Sequence, residues 1–264
     1  NINFYELFKY KDLIILFVKR DFVTFYKQTI LGPIWYILQP LINTIVFTII
    51  FGRLAQIPTD NLPPFLFYMA GNIIWGYFAF CMNTTSSTFV KNSDIFGKVY
   101  FPRITVPISN VIIGLFQFIL QLIFFLCFYF YFIYNGLSIN ISFAILFLPF
   151  ILIHTAVIAL GFGLLLSSLT SKYRDLTFVL GFGIQLWMFA TPVVYPLSII
   201  PEQYVIFSII NPMTSVVESF KFIFFGESAI QFFHITISIF ISIFIFFIGL
   251  IVFYKTEKTF IDTV

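Results

Sequence analysis

Six stretches of this chain, 34–51, 65–82, 108–134, 141–166, 176–194 and 232–254, contain no aspartate, glutamate, lysine or arginine. A helix needs about 20 apolar residues to cross a hydrocarbon layer about 30 Å thick. Each stretch therefore reads as a membrane-crossing helix, the second continuing toward Val90. Water is not an alternative solvent for them. Of the 264 residues, 60% are hydrophobic and 9% charged, whereas a soluble domain carries about 45–50% apolar and about 25% charged residues. A fold of this size leaves too much surface against solvent to hide the difference. The expected fold is all-α and integral to a membrane, a single transmembrane domain over 1–264 with six crossing helices. Residues 195–226 are apolar but broken by Pro196, Pro201, Asn211 and Pro212. They are expected to form two short helical pieces that dip into the membrane and return.

Lysine and arginine in connecting loops collect on the cytoplasmic side of membrane proteins. Residues 1–30, the loops after the second and fourth runs, and 255–264 together hold twelve of the fourteen basic residues, and the opposite face keeps Arg53 and Lys221. Both termini are thus expected in the cytoplasm and 195–226 outside. Ahead of the first run, 4–20 reads as an amphipathic helix lying on the membrane. At about 100° per residue, Phe4, Leu7, Phe8, Ile14, Ile15 and Val18 share one face and Glu6, Lys9, Asp12 and Arg20 the other, with Lys11 the exception. A charged segment of that length before the first apolar run is not the pattern of a cleavable signal.

Transport needs energy, and the first place to look is a phosphate-cradling loop, Gly-x-x-x-x-Gly-Lys-Ser/Thr. Gly97-Lys98 is followed by Val99 and has Asn92 where the first glycine belongs, so no ATP or Mg site is expected in this chain. Ion-driven transport leaves carboxylates inside the spans, and the six runs have none. Gly161-Phe162-Gly163 and Gly181-Phe182-Gly183 lie within spans with no strand before them, so they read as sites of close helix packing rather than dinucleotide-binding turns. His154 and His234 read as histidines hydrogen-bonded between helices, and Cys81 and Cys127 as small core residues, with no metal site among them. No basic stripe suited to nucleic acid is present.

The connection 91–107 is the most distinctive loop. Ser93 or Asp94 is placed to cap a helical turn, Ile95, Phe96, Val99, Tyr100 and Phe101 form an expected exposed apolar knob, and Pro102 stops it. An exposed apolar knob calls for a partner.

Together with this loop, several motifs in order make the chain resemble, over nearly its whole length, the permease subunit of type 2 ABC exporters for polysaccharides. They are Arg20-Asp21 with Tyr26-Lys27, Leu31-Gly32-Pro33-Ile34-Trp35 and Gln39-Pro40-Leu41; Phe101-Pro102-Arg103 before Pro107; Tyr173-Arg174-Asp175; Thr191-Pro192-Val193-Val194-Tyr195; and Asn211-Pro212-Met213 followed by Glu218, Lys221 and Gly226. The tail Glu257-Lys258-Thr259-Phe260-Ile261-Asp262 is similar to the family's closing Glu-x-x-Phe-Ala-Asp. The chain departs from the family at Tyr173, where Phe is usual, at Ile261, where Ala is usual, and at Lys221, where Arg is usual. The last exchange loses bidentate hydrogen bonding.

The resemblance implies a homodimer of this chain bound to two copies of a separate ATPase that holds ATP and Mg. The implied cargo is a lipid-linked polysaccharide of the O-antigen, teichoic acid or capsule kind, and the implied place is the bacterial cytoplasmic membrane. It implies docking of the ATPase on the N-terminal helix, on Ile95, Phe96, Val99, Tyr100, Phe101 and Arg103, and near Arg174 and Asp175. It also implies an outer gate including Pro196, Asn211, Pro212, Glu218 and Lys221. Spans one, two and five of such permeases meet around the path, so Trp35, Tyr36, Trp75, Tyr77, Trp187 and Tyr195 are expected to offer ring faces to sugars. A drug-like or lipid cargo on the same fold is the alternative, and an integral-membrane enzyme or scaffold a third reading.

Overall fold

The computed structural model describes residues 9–27, 32–99, 101–137, 143–226 and 230–260. Helix α1 (Lys11–Lys27) precedes α2 (Trp35–Phe47), which runs on as a π-helical stretch, Thr48–Leu54. Helix α3 (Pro64–Ser86) is followed by two single turns, α4 (Thr88–Lys91) and α5 (Ser93–Phe96). Then come α6 (Thr105–Tyr134), α7 (Leu148–Lys172), α8 (Leu176–Phe189), the short pair α9 (Glu202–Ile210) and α10 (Pro212–Phe225), and α11 (Phe232–Phe260). Helical stretches Trp35–Leu54, Pro64–Ser86, Thr105–Tyr134, Phe143–Lys172 and Phe232–Thr259 are long and apolar enough to cross a membrane. The chain is an all-α, multi-pass membrane protein.

The fifth run is shorter as a helix than the sequence suggested. It stops at Phe189, and 14 residues span about 21 Å at 1.5 Å each. Pro192 explains the stop, because the residue before a proline is pushed out of helical backbone. The 195–226 segment does form two helices, parted at Asn211. That residue caps α10 by accepting the Met213 backbone N–H, Pro212 takes the first helical position, and Gly226 ends the helix in the left-handed conformation at φ 77°.

Helix α3 is the axis of the bundle: sixteen of its 23 residues are buried. Proline at its start supplies the fixed φ that opens a helix. At its far end Thr84, Ser86, Ser87 and Thr88 all bond back to carbonyls three or four residues earlier, a pattern that bends and ends helices. The run toward Val90 is thus broken at Ser87. Around α3 pack α2, α6, α7 and α10. Helices α7 and α11 approach so closely that a Cβ on Gly249 would lie 2.5 Å from the Gly161 carbonyl oxygen, and one on Gly161 would lie 2.9 Å from the Phe246 nitrogen. Gly163 packs as tightly on Thr85. Gly181 and Gly183 do not: nothing lies within 4 Å of where their Cβ atoms would be. The same tripeptide therefore has opposite settings, because α8 stands at the margin of the bundle with Ile184 its one buried residue.

His154 bridges α7 to α11 through the hydroxyls of Ser242 and Ser238, at 3.0 and 3.2 Å. Cys81 is buried, but Cys127 is exposed on the outer face of α6, not in the core.

Candidate functional site

Two cavities adjoin the wall made by α2, α3 and α6. The first, about 560 Å³, lies among α2, α3, α6 and α8. Its lining includes Gln39, Asn43, Asn72, Asn83, Gln117, Gln121 and Gln185 together with Trp75 and Gly181, with no charged residue among the described ones. Seven carboxamides beside one bundle groove are a costly placement in apolar helices, since an amide without a hydrogen-bond partner costs several kcal/mol in hydrocarbon.

Two of the seven are committed to holding α2 in place. Pro40 has no N–H, which frees the Tyr36 carbonyl from its intrahelical bond. Gln121 on α6 donates to that carbonyl at 3.0 Å. One turn on, the Thr44 hydroxyl donates to the Pro40 carbonyl at 2.8 Å and accepts from the Asn72 amide of α3 at 3.1 Å. A proline in a span is tolerated here because neighbouring helices restore the lost bonds.

The second cavity, about 620 Å³, opens at the end of the bundle where α1 and the 91–99 turn lie. Arg20, Asp21, Thr24, Tyr36, Phe80, Lys91, Ile95 and Asn110 line it, and Phe80 borders both cavities. Among the described residues, charge is thus present at this rim and absent from the carboxamide groove.

At the same end an aromatic cluster welds the connections together. Phe17 of α1 meets Phe101 with ring centroids 5.5 Å apart, Phe101 meets Phe96 at 5.7 Å, and Phe89 meets Phe253 of α11 at 4.8 Å. Arg103 is buried: its backbone N–H donates to the Glu257 carboxylate at 3.1 Å, its guanidinium to the Glu257 carbonyl at 2.9 Å, and it stands over the Phe96 ring. The expectation of an exposed knob is therefore corrected at Phe96 and Phe101, whose exposures are 5% and 6%, and Arg103, expected at the docking site, is itself only 4% exposed. Three large apolar or planar groups beside two helix ends find partners within their own chain. Val99 stays exposed, as do Asp94, Lys98, Arg174 and Asp175, and Ile95 is half-buried. Tyr100 lies outside the described residues, as do Phe4, Glu6, Leu7, Phe8, Ile261 and Asp262. In α1 the buried residue is Phe17, which the amphipathic reading left out, while Ile15 and Leu16 on another face remain uncovered.

The six expected path aromatics part company. Trp75 lines the carboxamide groove and Tyr36 the rim cavity. Tyr77 is buried against Phe118. Trp187 is enclosed by Trp75, Phe78 and Phe162, and its N–H donates to Asn211 at 3.1 Å. Tyr77 and Trp187 therefore pack within the bundle, and neither is among the residues lining the two cavities. Tyr195 is half-buried against the main core, and Trp35 is exposed.

At the opposite end Asn211 joins the two elements that flank it. Its amide donates to the Thr191 hydroxyl at 2.9 Å and the Ala190 carbonyl at 3.3 Å while its oxygen serves Trp187 and the α10 cap. Glu218 and Lys221 are 4% and 3% exposed, so they are not a surface pair. Lys221 donates to Glu218 at 3.3 Å and to the Pro192 carbonyl at 2.6 Å, with its ammonium 3.8 Å from the Phe67 ring centre. Pro196 is also buried.

This architecture, a multi-pass bundle with an aromatic cluster at one end and a helix pair at the other, agrees with the family comparison. The profile described as ABC-2 type transporter matches residues 12–225. The chain belongs to that family. It is similar to two proteins of Klebsiella pneumoniae, each named O-antigen export system permease protein RfbA: it is 27% and 26% identical to them over 251 residues, 95% of this chain and 94% of each relative. A protein of the same name from Myxococcus xanthus is 28% identical over 225 residues, 83% of each chain. As an ABC-2 membrane component, the chain is a transporter permease subunit.

Proposed function

We propose that this chain is the transmembrane subunit of an ATP-driven exporter that moves a lipid-linked polysaccharide across the bacterial cytoplasmic membrane, working as a homodimer with two copies of a separate ATPase that holds ATP and Mg. The observation that carries the reading is the uncharged, carboxamide-lined groove among helices that otherwise meet hydrocarbon, in a chain similar to O-antigen export permeases. Carboxamides donate and accept at once, as sugar hydroxyls do. With twelve of the fourteen basic residues on one face, the positive-inside rule sets both termini and the 91–99 turn in the cytoplasm. The α9–α10 pair is then outside, dipping into the membrane as a lid.

Coupling follows from the aromatic cluster. The ATPase takes hold of what is exposed, Asp94, Lys98 and Val99 with Arg174 and Asp175 nearby. Phe96, Phe101 and Arg103 pass the push to α1, α6 and α11, because close-packed groups transmit displacement rather than absorb it. At the far end Asn211 and Lys221 make the close of α8 and the start of α10 one body. The chain supplies the path and the levers.

The test is reconstitution. The chain in nanodiscs should hydrolyse no ATP above background until its ATPase is added, and proteoliposomes of the pair should move lipid-linked polysaccharide only with ATP. Hydrolysis by the lone chain, or transport without the ATPase, ends the reading. A second reading, export of a lipid or drug-like molecule, is favoured by an apolar cavity of about 570 Å³ among α7, α10 and α11 that contains His154. Transport of a fluorescent lipid in preference to glycan by the same proteoliposomes would select it.

A further inference from the structure

Five of the seven groove carboxamides, Gln39, Asn43, Asn83, Gln117 and Gln185, make no side-chain hydrogen bond among the described residues. Gln117 and Gln121 each keep a buried carbonyl oxygen without a partner. In the spans of a membrane protein such groups cannot be left against acyl chains without a cost of several kcal/mol each. What occupies the groove in the working protein is therefore polar. What it is not follows from the charges: Arg20, Asp21 and Lys91 stop at the rim cavity, and among the described residues no lysine or arginine lines the groove.

We propose that the groove passes an uncharged, hydroxyl-rich glycan and discriminates against polymers that carry phosphate or carboxylate along their length. A polyanion drawn between low-dielectric walls without countercharge loses its hydration and recovers nothing. A neutral sugar finds at each carboxamide a donor and an acceptor in one group, and the largely buried Trp75 adds apolar wall to the groove. Gly181, with open space beyond its α-carbon, adds bare backbone to the wall. Five acceptor–donor groups of similar strength, spread over α2, α3, α6 and α8, give a chain repeated weak holds and no single deep one. This inference rests on the polysaccharide-export reading and narrows its substrate class.

The experiment uses the full permease–ATPase complex in cells that lack their own exporter, supplied in parallel with a lipid-linked mannan and a lipid-linked poly(glycerol phosphate). Surface polymer per complex is measured. Mannan should appear at least tenfold faster than the polyanion, and equal rates overturn the proposal. Replacing Asn43→Lys and Gln185→Lys together should raise polyanion export several-fold over the parent while lowering mannan, a change of preference that a merely structural role would not produce. The pair Asn43→Leu and Gln185→Leu should cut mannan export at least fivefold with the dimer intact by crosslinking. If the leucine variants dissociate the dimer, the carboxamides pair between copies and the proposal fails. If neither polymer reaches the surface although both are made and the complex hydrolyses ATP, polysaccharide export itself is wrong. If mannan alone fails to be favoured, only the selectivity is.

Discussion

Replacing Glu218 with glutamine removes one charge from a pair that the fold has enclosed, and the structure sets the size of the effect. The Lys221 ammonium lies 3.3 Å from the Glu218 oxygen with both residues almost fully buried. At an effective dielectric of about 20 that separation is worth about 5 kcal/mol by Coulomb's law. Part survives the substitution, because the ammonium keeps the Pro192 carbonyl at 2.6 Å and the Phe67 ring face. A net loss of about 3 kcal/mol is expected, near the lower end of what breaking a buried pair costs. The double variant Glu218→Gln, Lys221→Met removes both charges and the stranded ammonium with them. It should lose less than Glu218→Gln alone, since an apolar group of similar volume tolerates the site. The assay is reversible unfolding in mixed micelles, read by tryptophan fluorescence, for the parent, both single variants and the double. A loss below about 0.5 kcal/mol for Glu218→Gln, the range of an exposed ion pair, would refute the enclosure of the pair. A double variant worse than either single would refute the charge argument.

Three further outcomes are expected. Val99→Asp should abolish co-purification with the ATPase while leaving the yield of folded permease unchanged, whereas Phe96→Asp should lower that yield by placing a carboxylate in the aromatic cluster; size-exclusion profiles and pull-down separate the two effects. Trp75→Ala and Tyr36→Ala should each slow surface display of polymer at least threefold with the complex still assembled, and normal display in both would return these rings to packing or interfacial roles. Cysteine placed at Ser198, an exposed residue whose hydroxyl donates to Asp60 at 2.8 Å, should react with an impermeant maleimide in intact cells, and labelling only after lysis would invert the topology.

The sequence by itself determined how the chain divides. Runs without charge marked the crossing helices, because a buried charge in hydrocarbon is too costly to occur by accident. Proline and asparagine at 211–212 marked the break between α9 and α10, since one lacks the N–H and the other supplies the cap. The 91–107 connection and the family were legible for the same reason: each is a local pattern. Rotation about each helix axis was not. In a soluble helix the apolar face points inward, but in lipid both the packed and the uncovered faces are apolar, so periodicity is silent about which is which. That is why Tyr77 and Trp187 read as path residues and are packed, whereas Phe96, on a connecting turn outside the spans, is buried by ring contacts with Phe89 and Phe101 that no local pattern reveals. Gly161-Phe162-Gly163 and Gly181-Phe182-Gly183 are identical in composition, yet one admits another backbone at contact distance and the other faces open space. The carboxamides were in plain view as letters, scattered from Gln39 to Gln185. Only the packing of four helices brought them to one groove, because their convergence depends on contacts between residues far apart in the chain.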